Sequence, residues 1–245
     1  MTDLANLGAS NSYLGINKSL TGKLWLQRPL DERLALTLSQ RLGVSEIVGR
    51  VLTARGIGLD DANDFIEPTL RDHLPNPSSL QDMDIAAERL ANAIMKDELI
   101  GIFGDYDVDG ATSSSLLARM FKSVGGRSTT YIPDRIKEGY GPNASALLGM
   151  LKSGVSVLVT VDCGTLSHEP LQIAKDAGLE VIVVDHHAAE ANLPVATAIV
   201  NPNRLDDESG QGHLAAVGVA FLLVVAVNRV LRDIGWYKTH EEPDL

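Results

Sequence analysis

The sequence predicts an α/β fold: a parallel β-sheet with helices on both faces, preceded by a small helical N-terminal segment. Three observations predict it. Short runs of Val, Ile and Leu are apolar without alternating with polar residues, helical periods separate them, and the texture changes near residue 79. Strands apolar on both faces belong to sheets covered on both sides, and alternation with helices is the pattern of parallel crossovers. The expected division is residues 1–78 as an arm with a helical segment and residues 79–245 as the α/β domain.

Residues 1 to about 30 show no clear period and are expected to form a loose arm, with a short apolar touch at Leu24-Trp25-Leu26. From Leu34 to Glu67 the apolar residues recur at three- and four-residue spacings, which predicts two or three short helices with Ser45 and Asp60 at N-cap positions. Asp72 to Ser79, with Pro75 and Pro77, is expected to be a linker. Beyond it the predicted order is a helix over Met83–Lys96, a strand over Leu99–Phe103, a helix over Thr112–Val124 and a strand over Thr129–Ile132. A helix over Asn143–Lys152, a strand over Val155–Val161, a helix over His168–Ala177 and a strand over Val181–Val184 follow. The last elements are a short strand over Thr197–Val200 and a long helix over Leu214–Leu231.

Composition narrows the class. Of the 245 residues, 44% are hydrophobic and 22% charged, the balance of an ordinary globular chain. No apolar run reaches membrane-spanning length, and the first residues lack the basic and apolar regions of a secretory signal. The single cysteine, Cys163, excludes an internal disulfide and fits a reducing cytoplasm. A net charge of −11 speaks against a basic nucleic-acid footprint, but carboxylates gathered in a metal site are neutralised when the metal binds.

Such a gathering is expected. Three of the strands end alike: the first runs into Asp105, Asp107 and Asp109, the third into Asp162, the fourth into Asp185, His186 and His187. Ligands of open α/β sheets bind outside the carboxyl ends of the strands, so if these strands are neighbours the seven side chains share one crevice. Two carboxylates about 4 Å apart repel by roughly 4 kcal/mol at an effective dielectric of 20. A cation relieves that. Hard oxygen ligands with imidazole suit Mn²⁺ or Mg²⁺ better than Zn²⁺. The Asp-x-Asp-x-Asp-Gly run is no EF-hand, because the twelfth loop position counted from Asp105 is Leu116 rather than Glu. Gly104 and Gly110 are expected to allow tight turns, and Ala111-Thr112-Ser113 to open a helix.

At these residues the chain resembles a known family. Val183-Val184-Asp185-His186-His187 is similar to the motif that names the DHH phosphoesterases. The run from Gly104 to Ser113 looks like their first motif in the form used by single-strand-specific exonucleases. Val161-Asp162-Cys163-Gly164 resembles the second motif, and Asn201-Pro202-Asn203 with Ala216–Phe221 the stretch that follows the third. Pro133-Asp134-Arg135 and Gly139-Tyr140-Gly141 also fit, and the likeness covers about residues 45–245. It implies a metal-dependent 5′–3′ exonuclease acting on single-stranded DNA in repair and recombination, with two Mn²⁺ or Mg²⁺ ions. Alternatives are a DHH hydrolase of small nucleotides or oligonucleotides and a non-catalytic DHH scaffold. Carried over by position, Asp107, Asp109 and His186 are metal ligands, Asp162 a bridging ligand and Asp105 an outer one. His187 contacts the scissile phosphate, Asp185 joins it in the catalytic set, and Arg135 is a phosphate clamp. Cys163 stands where the family commonly carries Asn and is expected to be a buried, inert thiol. The family's fourth motif, Gly-Thr-x-x-Asp, is expected beyond residue 245, so this chain alone is expected to hold its second ion weakly.

Overall fold

The computed structural model describes residues 12–244; the part of the expected arm in residues 1–11 lies outside them. Two compact units divide the chain between Leu74 and Pro75.

The first unit carries α1 (Glu32–Leu42), α2 (Glu46–Ala54), α3 (Ala62–Ile66) and α4 (Leu70–His73). Asp31 caps α1 by accepting from the amides of Arg33 and Leu34, and Gly43 closes it at φ +66°. Ser45 precedes α2 as expected, whereas α3 starts from Asp61 rather than Asp60. Leu38, Leu52 and Ala62 form a small core. The arm is more ordered than its lack of period suggests. Ser12 bridges Leu26, and Tyr13 N–H donates to the Trp25 carbonyl at 2.8 Å.

The second unit holds the sheet. Its strands are β1 (Leu99–Gly104), β2 (Arg127–Tyr131), β3 (Val155–Val161), β4 (Glu180–Val184) and β5 (Ala198–Val200), all parallel in the order β2-β1-β3-β4-β5. The helices are α5 (Met83–Met95), α6 (Val108–Ser123), α7 (Ala144–Lys152), α8 (His168–Asp176) and α9 (Ala216–Asp233). Alternate strand residues point to opposite sides. Ile100, Ile102, Val157, Val159, Val161, Ile182 and Val184 meet α5, α6 and α9. Phe103, Leu158, Val181 and Val183 meet α7 and α8. Burial on both faces explains why these strands read as unbroken apolar runs. The chain goes from β1 outward to β2 and then returns to the other side of β1 as β3, so the order reverses between β1 and β3. That is where open sheets of this order bind ligands.

Two boundaries differ from expectation in ways that shape the site. Helix α6 begins at Val108, four residues before Thr112. Asp107, extended at φ −83° and ψ −173°, caps it by accepting from the amides of Asp109 and Gly110. Capping overrides the poor helix propensity of Asp-Val-Asp-Gly. Gly104 and Gly110 do not make turns; they permit close approach. A Cβ on Gly110 would lie 2.3 Å from the Asp105 carbonyl oxygen, and one on Gly104 would lie 2.1 Å from Ser114 Oγ. Helix α9 begins at Ala216, which leaves the Leu214 carbonyl outside the helix. Among the described residues no helix is long and apolar enough to cross a membrane.

Candidate active site

The condition set by the sequence is met: β1, β3 and β4 are adjacent in the sheet. Asp105 follows β1 directly, Asp107 caps α6 and Asp109 lies in its first turn. Asp162 follows β3, and Asp185, His186 and His187 follow β4. Asp162 has φ +61°, the left-handed region that non-glycine residues seldom enter. Such a conformation costs on the order of 1–3 kcal/mol and persists where the surroundings hold it. Here Asp162 N–H donates to the Val184 carbonyl at 3.0 Å, and Tyr140 hydroxyl donates to the Asp162 carbonyl at 3.0 Å.

Two sets of side chains are spaced as ligands around Asp162. Oxygens of Asp105, Asp107 and Asp162 lie within 4.8 Å of one another, and so do ligand atoms of Asp162, His186 and His187. Asp162 belongs to both. Asp109 is outside these sets, but its Oδ2 is 4.0 Å from His186 Nε2. Two further features fit a cation. Asp105 Oδ1 is buried without a hydrogen-bond partner among the described residues, an exception to the usual satisfaction of buried polar atoms. His186 Nδ1 lies 3.1 Å from the Leu214 carbonyl oxygen, which requires the proton on Nδ1. Nε2 then presents its lone pair 3.4 Å from Asp162 Oδ1. An imidazole fixed by a carbonyl in this way is the usual arrangement of a metal-binding histidine.

Charge repulsion has visible consequences. Burial first, and then the adjacent Asp107 carboxylate, push the Asp162 carboxyl up to about 7. Asp107 is held below the usual carboxylate range, chiefly by the Gly110 amide. Burial would raise Asp185 as well, but hydrogen bonds from His187 and Thr165 outweigh it and hold that carboxyl at about 2. Asp185 Oδ1 accepts from His187 Nδ1 at 2.7 Å and from the His186 amide at 2.8 Å, and its Oδ2 accepts from the Thr165 amide at 3.1 Å. Asp185 in turn raises the pKa of His187.

The model of the DHH family, N-terminal domain, matches residues 99–242. The chain belongs to the DHH family. It is 36% identical over 208 residues to the single-stranded-DNA-specific exonuclease RecJ of Bacillus subtilis (strain 168), which covers 85% of this chain and 26% of that protein. A crystal structure of RecJ in complex with Mn²⁺ from Thermus thermophilus superimposes with a TM-score of 0.66 at 27% identity, over 84% of this chain and 28% of the other. One of exonuclease RecJ bound to manganese gives a TM-score of 0.57 at 32% identity, over 67% and 40%. The chain spans about a quarter to a third of the length of the curated relatives it matches.

Within this DHH domain, the seven strand-end residues come together, while Arg135 is placed by aromatic contacts. Its guanidinium lies over two aromatic rings, 4.8 Å from the centre of Tyr106 and 5.2 Å from that of Tyr140. Cys163 is buried as expected, and burial holds its thiol well above the ordinary range. Five contributors carry no role in the sequence reading: Tyr106, Tyr140, Thr165, Asn201 and Asn203. Tyr106 sits between two motif aspartates and Tyr140 between Gly139 and Gly141, both at positive φ, which is the one signal that marks them.

Proposed function

We propose that this chain carries the hydrolytic centre of a metal-dependent exonuclease that removes nucleotides from single-stranded DNA, 5′ to 3′, in repair and recombination. The observation that carries the reading is the membership of Asp162 in both ligand-spaced sets. The substrate follows from relatives named single-stranded-DNA-specific exonuclease RecJ.

The ions are two Mn²⁺ or Mg²⁺. Asp105, Asp107 and Asp162 would hold one; Asp162 and His186 of the second set would hold the other, joined by Asp109, whose Oδ2 is 4.0 Å from His186 Nε2, while His187 is left for the substrate. Bound there, such ions supply positive charge to phosphate oxygens and make a coordinated water more acidic. His187 gives its Nδ1 proton to the hydrogen bond with Asp185, which leaves Nε2 for the substrate. The carboxylate of Asp185 favours the protonated ring. A protonated His187 stabilises negative charge that develops on the phosphoryl oxygens. Arg135, held against Tyr106 and Tyr140, grips a neighbouring phosphate through two of its N–H groups.

The reading is tested by digestion with Mn²⁺ of end-labelled single strands, duplexes and dinucleotides. Release of nucleotides from the 5′ end of single strands, absent with chelator, is the expected result. A preference for dinucleotides or bisphosphorylated nucleotides overturns the substrate, and metal-independent digestion overturns the chemistry.

A further inference from the structure

Beyond the end of β4 the two histidines lie outside regular secondary structure. No backbone N–H among the described residues donates to the carbonyl of either. The carbonyls are instead taken by side-chain amides from one short segment. Asn201 Nδ2 donates to the His187 carbonyl at 2.9 Å, and Asn203 Nδ2 donates to the His186 carbonyl at 2.5 Å. The two asparagines are themselves linked, because Asn203 N–H donates to Asn201 Oδ1 at 2.8 Å.

The same amide of Asn201 reaches the other strand end that contributes to the site. Its second N–H donates to Thr165 Oγ1 at 2.8 Å, and the Thr165 amide donates to Asp185, which holds His187 Nδ1. A loop of contacts therefore closes from Asn201 through Thr165, Asp185 and His187 back to Asn201. The Asn201 side chain is fully buried, so water has no route to replace a bond it loses.

We propose that Asn201 and Asn203 are positioning residues, each fixing one histidine of the centre: Asn201 sets His187 and Asn203 sets His186. The inference rests on the reading of this centre as a metal-dependent hydrolase. Each asparagine acts through the backbone of its histidine. The two therefore separate in effect. Loss of Asn203 lets the His186 ring drift from Asp162, which weakens metal binding. Loss of Asn201 lets the His187 ring drift from Asp185, which lowers turnover and leaves most of the metal affinity. Groups that orient ligands from outside the site typically change affinity or activity by about 10- to 100-fold when removed.

The experiment compares Asn201→Ala and Asn203→Ala in the full chain by Mn²⁺ calorimetry, by nitrogen-edited NMR of the histidine rings without metal, and by kcat and KM on single strands. Asn203→Ala is expected to weaken Mn²⁺ binding at least about tenfold while the metal-free protein stays folded. Asn201→Ala is expected to shift the His187 Nδ1 proton resonance and to lower kcat at least about tenfold with KM little changed. Should Asn201→Ala not fold, Asn203→Ala decides, since that side chain is only half-buried. Wild-type Mn²⁺ affinity in Asn203→Ala, or an unshifted His187 resonance in folded Asn201→Ala, overturns the proposal. If the wild-type chain binds no Mn²⁺, the hydrolase reading fails, while the ring resonances of both variants still report whether the asparagines position the histidines.

Discussion

Replacing Asp162 by Asn changes one charge at the point common to both ligand sets, and asparagine tolerates the left-handed backbone that this position requires. Carboxylate oxygens within 4.8 Å of one another repel by about 3 kcal/mol at an effective dielectric of 20, before any relaxation. In the metal-free wild type that repulsion depends on pH. A carboxyl raised to about 7 in the folded state gives stability that is fully present below its unfolded value and is lost as pH rises through about 7. The substituted amide cannot ionise, so the variant keeps that stability. At about pH 8 without metal, Asp162→Asn is therefore expected to gain about 1–3 kcal/mol over wild type. That corresponds to a Tm higher by roughly 2–12 °C, since each kcal/mol moves a domain of this size by about 2–4 °C. At about pH 5 the folded Asp162 is protonated and the gain should be clearly smaller, vanishing only below the unfolded carboxylate value. Mn²⁺ reverses the order. Wild type gains about 2.7 kcal/mol at a hundred times its Kd, whereas the variant, short of a ligand in both sets, gains little. Thermal melts at the two pH values, each with chelator and with Mn²⁺, supply the four comparisons. An equal gain at both pH values, or equal stabilisation of both proteins by Mn²⁺, would show that Asp162 is not the charge shared by the two sets.

Three further outcomes are expected. Asp107→Asn keeps an N-cap acceptor and relieves the same carboxylate repulsion, so without metal it should melt at or above wild type, while in Asp107→Ala that relief is offset by about 1 kcal/mol from the uncapped α6; both should lose at least about a hundredfold in Mn²⁺-supported hydrolysis, and near-normal turnover in either removes Asp107 from the centre. His186→Ala should weaken Mn²⁺ binding in a calorimetric titration, whereas His187→Ala should mainly lower kcat; an equal loss of binding in the two contradicts the division of roles. Arg135→Lys keeps the charge but loses the planar fork held over Tyr106 and Tyr140. It should raise KM for single strands about tenfold with kcat little affected, and an unchanged KM removes Arg135 from substrate binding.

Much of this was legible in the sequence because burial on both faces leaves an unambiguous trace. The runs at Val155–Val161 and Val181–Val184 read as buried strands, and the aspartates that end them mark the carboxyl edge of the sheet. The start of α6 was not legible. Asp-Val-Asp-Gly has the composition of a turn, and only the cap made by Asp107 and the close seat of Gly110 on Asp105 decide for helix. Nor was the support of the histidines. Asn201 and Asn203 stand in a stretch that resembles the family's, but their role was not readable: Asn201 and Thr165 are uncharged and lie 36 residues apart, so their bond exists only once β3 and β5 share a sheet. Arg135 was visible as a cation in a loop, but its two aromatic neighbours come from separate loops, and their convergence is a product of the fold.

The central claim is that one carboxylate, Asp162, serves two ions at the end of β3. Crystals of the chain equilibrated with saturating Mn²⁺ and measured at the manganese absorption edge test it most directly. Two anomalous peaks about 3.5–4 Å apart are expected, with Asp162 oxygens ligating both and His186 Nε2 ligating one. Manganese peaks that leave Asp162 without a bond to either ion would contradict it.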